Sequence, residues 1–154
     1  MITFEVSAET SLMPEEIVQG MFDPENWTSF NGSGLVPGIS GVQIVSKNET
    51  IEGTLFKVKN SDGSQHEEII TGYERDRSLT MKLHKFGFPL NCFADHFLEI
   101  WSFSRADQTT RFTRKFELHP KNLVGSVMLK MIAHFFENAV AEHSKTITSP
   151  NPAN

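Results

Sequence analysis

The stretch Thr54–His84, TLFKVKNSDGSQHEEIITGYERDRSLTMKLH, decides how the chain is read. Apolar and polar residues alternate in it, at Phe56 and Val58 and again at Leu79, Met81 and Leu83, the period of two that marks a half-buried strand. Asp62-Gly63 stands between two such runs and is the strongest short hairpin signal in the chain. As a two-residue turn it sets Ser61 opposite Ser64, Val58 opposite Glu67, Phe56 opposite Ile69 and Thr54 opposite Thr71. If Phe56 and Val58 face a core, so do Glu67, Ile69, Thr71 and Tyr73. Carried across the turn at Arg75–Arg77, the same register points Leu79, Met81, Leu83 and Lys85 inward.

Outward from this hairpin, strands are expected near 42–47, 50–61, 64–75, 78–86, 93–105 and 109–118. The inward set continues with Phe93, Asp95, Phe97, Glu99, Trp101 and Phe103, then Phe112, Arg114, Phe116 and Leu118. A one-residue slip would instead bury Lys82, His84, His96, Arg111, Lys115 and Glu117, which is far costlier. Glu67, Lys85 and Asp95 then form one cross-strand row, and Trp101 lies opposite Arg114 with Glu99 diagonal to it. Before this block, Ile2, Phe4, Val6 and Ala8 alternate as a strand, Pro14 opens a helix, and Asp23-Pro24 caps and opens a second one carrying Trp27 and Phe30. A Gly/Pro-rich connection, NGSGLVPGISG, follows. After the block, a helix runs from Asn122 to about Lys145, roughly 35 Å long. Its apolar face is read as Val124, Val127, Met128, Met131, Ile132, Phe135, Phe136 and Ala139, with His134 and Asn138 on the flank. The order is α+β, β-α-α-β6-α: a curved seven-stranded antiparallel sheet wrapped around a long C-terminal helix, with room between them. Residues 1–147 are expected to form one domain and 148–154 a flexible tail.

Composition narrows the function. The 154 residues carry 14 Lys+Arg against 19 Asp+Glu, a net charge of −5 without a basic cluster, which disfavours nucleic acid. Cys92 is the sole cysteine, and the N-terminus lacks a basic and apolar leader, so a cytoplasmic protein without a transmembrane segment is expected. Cys92 and His96 would lie about 13 Å apart on an extended strand, too far for a nucleophile–base pair. The same spacing separates Asp95 from Glu99 and excludes a glycosidase-type pair. The histidines show no HxH, HxxxH or HExxH spacing, and the glycine-rich connection lacks a phosphate-loop pattern, so no metal or cofactor is expected.

Five short motifs resemble the START/polyketide-cyclase superfamily, the helix-grip or SRPBCC fold, over about residues 2–147. Pro14-Glu15-Glu16-Ile17-Val18 resembles its first-helix opening, and Asp23-Pro24-Glu25-Asn26-Trp27 its second helix with the customary Trp. Gly53-Thr54-Leu55-Phe56 resembles the Gly-led third strand. Tyr73-Glu74-Arg75-Asp76-Arg77-Ser78-Leu79 resembles a turn usually written with Pro where Asp76 stands. Thr109-Thr110-Arg111-Phe112-Thr113 resembles the start of the last strand, with Gln108-Thr109 replacing the usual Gly pair.

The resemblance implies an internal cavity for a small hydrophobic molecule of lipid, aromatic-polyketide or isoprenoid type. Its expected lining is Phe56, Tyr73, Met81, Phe97, Glu99, Trp101, Arg114, Phe116, Met128, Met131, His134 and Phe135, with Phe86, Phe88 and Pro89 as a lip. Glu99 and Arg114 are then either a structural pair or the group that orients a ligand's polar end. Two alternatives stay open, because the superfamily also spans cyclases and co-chaperone-like proteins. One is a cyclase/dehydratase-type enzyme with Glu99 or His134 as general acid/base and Arg114 stabilising an enolate. The other is a protein-interaction module with a filled core and an exposed patch at Phe86–Leu90, with self-association into a homodimer through that loop also open.

Overall fold

Two prolines and two side-chain caps place the helices. The computed structural model describes residues 1–46 and 49–150. After strand β1 (Ile2–Thr10), Pro14 opens helix α1 (Pro14–Gln19) and Pro24 opens α2 (Pro24–Thr28). Asp23 caps α2 by accepting the Glu25 N–H at 3.0 Å, and Asn122 caps α3 (Leu123–Ile147) by accepting the Gly125 N–H at 2.7 Å. Between them run β2 (Ile39–Ser46), β3 (Leu55–Asn60), β4 (Gln65–Glu74), β5 (Ser78–His84), β6 (Ala94–Ala106) and β7 (Thr109–Pro120). The expected strand at 42–47 ends one residue outside the described set, at Lys47. All seven strands form one antiparallel sheet in the order β1-β7-β6-β5-β4-β3-β2, curled around α3.

From β5 to β7 the inward set is as expected apart from Lys85 and Asp95, with Leu79 opposite Trp101 and Trp101 opposite Arg114, and β1 adds Phe4 opposite Phe116. The β3–β4 hairpin differs by one residue. Its loop is three residues, Ser61–Gly63, with Asn60 N–H donating to Ser64 O at 2.8 Å and Gly63 N–H to Asn60 O at 3.0 Å. Gly63 sits at φ +88°, the left-handed position that closes a three-residue hairpin and that glycine fills at least cost. Phe56 therefore faces Glu68 and Val58 faces His66, so Glu68 and Ile70 are buried, not Glu67, Ile69 and Thr71. A bulge between Ile70 and Gly72 then restores the phase, and Tyr73 faces Leu79.

The expected row of Glu67, Lys85 and Asp95 is broken up for the same kind of reason. Lys85 takes a positive φ of 54° where the chain leaves β5, is largely exposed, and pairs with Glu67 at 2.9 Å on the outer face. An irregularity between Ala94 and His96 buries Ala94 and turns Asp95 out, where it binds His96 at 2.6 Å.

The solid part of the core lies at two places. Phe56 is fully buried, with its ring centroid 4.8 Å from Trp27. Phe116 stacks on Phe4 at 4.9 Å and meets Phe136 of α3 at 4.6 Å. Helix α3 presents Gly125, Leu129, Ala133, Phe136, Ala139 and Val140 to the core, while Val124, Val127 and Met131 are exposed. Small residues explain the difference from the expected face: a Cβ on Gly125 would collide with the Phe93 carbonyl, so the helix approaches there. Among the described residues α3 is the one helix long and apolar enough to cross a membrane, and here it fills the grip of the sheet. Thr148, expected in a loose tail, is buried and accepts a 2.5 Å hydrogen bond from Thr10 Oγ1. Residues 151–154 of that tail lie outside the described residues.

Candidate functional site

The space between sheet and α3 is a cavity of about 330 Å³. Helices α1 and α2 and the residues beside them wall one side with Ile17, Met21, Trp27 and Phe30. The sheet contributes Met81, Leu83, Phe97 and Phe116, and α3 contributes Met128, Ile132 and Phe136. The mouth lies between the loop at Leu35–Pro37 and the loop at Phe86–Leu90, where Phe88 is 78% exposed. Apolar walls with a few placed polar groups are the usual make-up of a small-molecule site.

The first polar cluster lies deep. Glu99 Oε1 accepts from Trp101 Nε1 at 2.5 Å and from Arg114 Nε at 2.6 Å. Arg114 Nη1 donates to His143 Nδ1 at 2.9 Å and reaches Ser144 Oγ at 3.4 Å. His143 Nε2 in turn donates to the Asn26 carbonyl at 2.6 Å. This chain of bonds assigns the tautomer: Nε2 carries the proton and Nδ1 accepts from the guanidinium. Burial and then the Arg114 charge lower the His143 pKa to about 3, so the ring is neutral at physiological pH. Burial pushes the Glu99 carboxyl up, and the Arg114 charge and its hydrogen bonds oppose that. Strands β6 and β7 set Glu99 and Arg114 on one face, and the C-terminal half of α3 closes over them with His143.

The second cluster lies toward the mouth. Glu68 Oε1 binds His66 Nε2 at 2.9 Å, and Asn60 Nδ2 meets His66 Nδ1 at 3.2 Å. The Phe86 ring lies 6.0 Å from that of His66. Both clusters border the same cavity.

Of the residues expected to line it, Met81, Phe97, Glu99, Trp101, Arg114, Phe116 and Met128 do, and Phe86, Phe88 and Pro89 stand at its mouth. Five do not. Phe56 is sealed in the solid core behind Trp27. Tyr73 is half-buried beyond the cavity's end, with its backbone N–H bound to Glu52 Oε1 at 3.0 Å. Met131 and His134 lie on the exposed side of α3, and Phe135 packs under the loop at Gly34. His134 is therefore not placed to act on anything in the cavity. His143, His66 and Glu68 were missed. His143 was legible in principle, since Ile132, Phe136, Val140, His143 and Ile147 recur at three or four residues along the true inner face. The filled core that an interaction module requires is not what the structure has. Among the described residues, no group of three His, Cys, Asp or Glu could hold a metal ion.

Neither a protein-family model nor a curated protein matches the chain. Solved structures do. The chain is similar to a START superfamily protein from Mycobacterium smegmatis, with a TM-score of 0.70, 13% identity, and coverage of 95% of this chain and 96% of that one. Major latex-like protein 151 from Panax ginseng gives a TM-score of 0.62 at 15% identity, covering 97% and 100%. Ara h 8.0201 gives 0.61 at 16% identity, covering 96% and 99%. At such identities the likeness is one of backbone course.

Proposed function

Because this chain has the START-like helix-grip fold closed over an apolar cavity, we propose that it binds one small hydrophobic molecule there, of lipid, aromatic-polyketide or isoprenoid type. The observation that carries the proposal is the cavity itself: aromatic and aliphatic walls with two polar clusters at separate places. Apolar burial supplies affinity. About 300 Å² of ligand surface removed from water is worth about 7 kcal/mol, part of which is lost to immobilisation, so a dissociation constant between about 10 μM and 1 mM is expected. The Glu99–Arg114–His143 cluster fixes the wall against which the ligand lies, and Phe86, Phe88 and Pro89 form its lip.

The test is titration with N-phenyl-1-naphthylamine, a neutral apolar fluorophore. Trp27 and Trp101 both border the cavity and report its arrival by energy transfer. Saturable one-to-one binding is expected, weakened about tenfold or more in Ile132→Trp, which fills the space from α3. A folded protein that shows no saturable binding contradicts the proposal.

A further inference from the structure

The charges around the cavity specify its ligand further, an inference that rests on the binding reading above. Arg114 is the one guanidinium or ammonium group on the cavity wall among the described residues. Its charge is matched by Glu99, and its Nε and Nη1 are engaged with Glu99, His143 and Ser144, while among the described residues no hydrogen bond occupies Nη2. Glu68 has no such match. It is 5% exposed, and its partner is an imidazole whose other nitrogen faces the Asn60 amide nitrogen, the arrangement of a neutral ring. In both buried carboxyl groups Oε1 takes the hydrogen bonds, while among the described residues no hydrogen bond reaches Glu68 Oε2 or Glu99 Oε2. Neither Oε2 is among the buried side-chain atoms left without a partner, which fits oxygens open to the cavity space.

We propose that the cavity selects neutral apolar molecules carrying hydroxyl or phenol donors, one reaching Glu68 and another Glu99, and rejects carboxylate-bearing amphiphiles such as free fatty acids. A hydroxyl donating to a carboxylate forms a charge-assisted bond of roughly twice ordinary strength. An anion would meet an unmatched carboxylate inside a poorly screened cavity, and would leave two acceptors unpaired. The Arg114 guanidinium offsets this only in part, because its one charge is set against two carboxylates, Glu99 and Glu68.

Three probes with one skeleton test the proposal at pH 7.5 by titration calorimetry: bibenzyl, its para,para-diphenol, and the matching para,para-dicarboxylate. The diphenol is expected to bind about tenfold or more tightly than bibenzyl, and the dicarboxylate about tenfold or more weakly than the diphenol. In Glu68→Gln the ratio of diphenol to dicarboxylate affinity is expected to fall at least about fivefold. Dicarboxylate binding as tight as diphenol binding, or an unchanged ratio in Glu68→Gln, overturns the selectivity while leaving hydrophobic binding intact. Failure of all three probes, bibenzyl included, overturns the binding reading and the selectivity together.

Discussion

The two buried carboxyl groups of the cavity share a sheet face and differ in everything around them. Glu99 is held by a guanidinium and an indole, and that guanidinium by a histidine and a serine, so each charge has its counterpart. Glu68, two strands away, has one imidazole and no guanidinium. The comparison teaches where structure ends and recognition begins. A matched buried pair is expensive to disturb from either side, whereas a carboxyl group held by a single imidazole is cheap to alter.

Breaking the deep pair should cost most. Arg114→Ala leaves the Glu99 carboxylate uncompensated and is expected to lower stability by about 3–5 kcal/mol in urea unfolding. The double change Glu99→Leu with Arg114→Met removes both charges and should recover most of that loss. If the double variant is as unstable as Arg114→Ala, the cost was not an orphaned charge.

The pH dependence should also come from the deep cluster. His143 has a folded pKa of about 3 against an ordinary 6.5, lowered by burial and by Arg114. Between those values the unfolded chain binds a proton that the folded chain does not. The contribution is therefore complete above pH 6.5 and is lost as pH falls toward 3, at up to about 1.4 kcal/mol per pH unit. His84 and His119, also lowered mainly by burial, add slope of the same sign. Glu99, raised by burial, acts oppositely, since stability from that group declines as pH rises above the ordinary carboxyl range. Unfolding of His143→Gln followed from pH 7 to 4 should therefore show a shallower loss than the wild-type sequence, and an equal loss would refute the neutral buried ring.

The mouth cluster should give the smallest stability effect. His66→Ala removes one hydrogen bond from Glu68 and leaves that group facing the cavity, so a loss of about 1–2 kcal/mol is expected in the same unfolding assay. A loss matching that of Arg114→Ala would erase the distinction between the clusters.

This asymmetry also marks where the sequence could be read. Around Arg114 the strands are long and alternate cleanly, and a slip would bury six charged or ionisable side chains, so pattern alone fixes the register of β5, β6 and β7. On β4 the sequence is Glu67-Glu68-Ile69-Ile70, and a one-residue slip exchanges glutamate for glutamate and isoleucine for isoleucine. The pattern carries no phase there, and the outcome depended on a three-residue rather than two-residue turn at Gly63. On α3 the signal misled for a different reason. Gly125 and Ala133 contribute closeness rather than apolar bulk, so periodicity favoured the bulkier Val127 and Met131 on the exposed side. The cavity's volume was not legible at all, since it is set by how far α3 stands from the sheet.

The most direct test of binding inside the grip uses the six methionines as reporters. Met21, Met81 and Met128 border the cavity, while Met1, Met13 and Met131 are exposed elsewhere. With carbon-13 methyl labels, titration with the diphenol of bibenzyl should shift the Met21, Met81 and Met128 resonances in step with occupancy and leave the other three unmoved. Shifts at Met131 with Met81 and Met21 unchanged would place the ligand on the outer face of α3 and contradict the account.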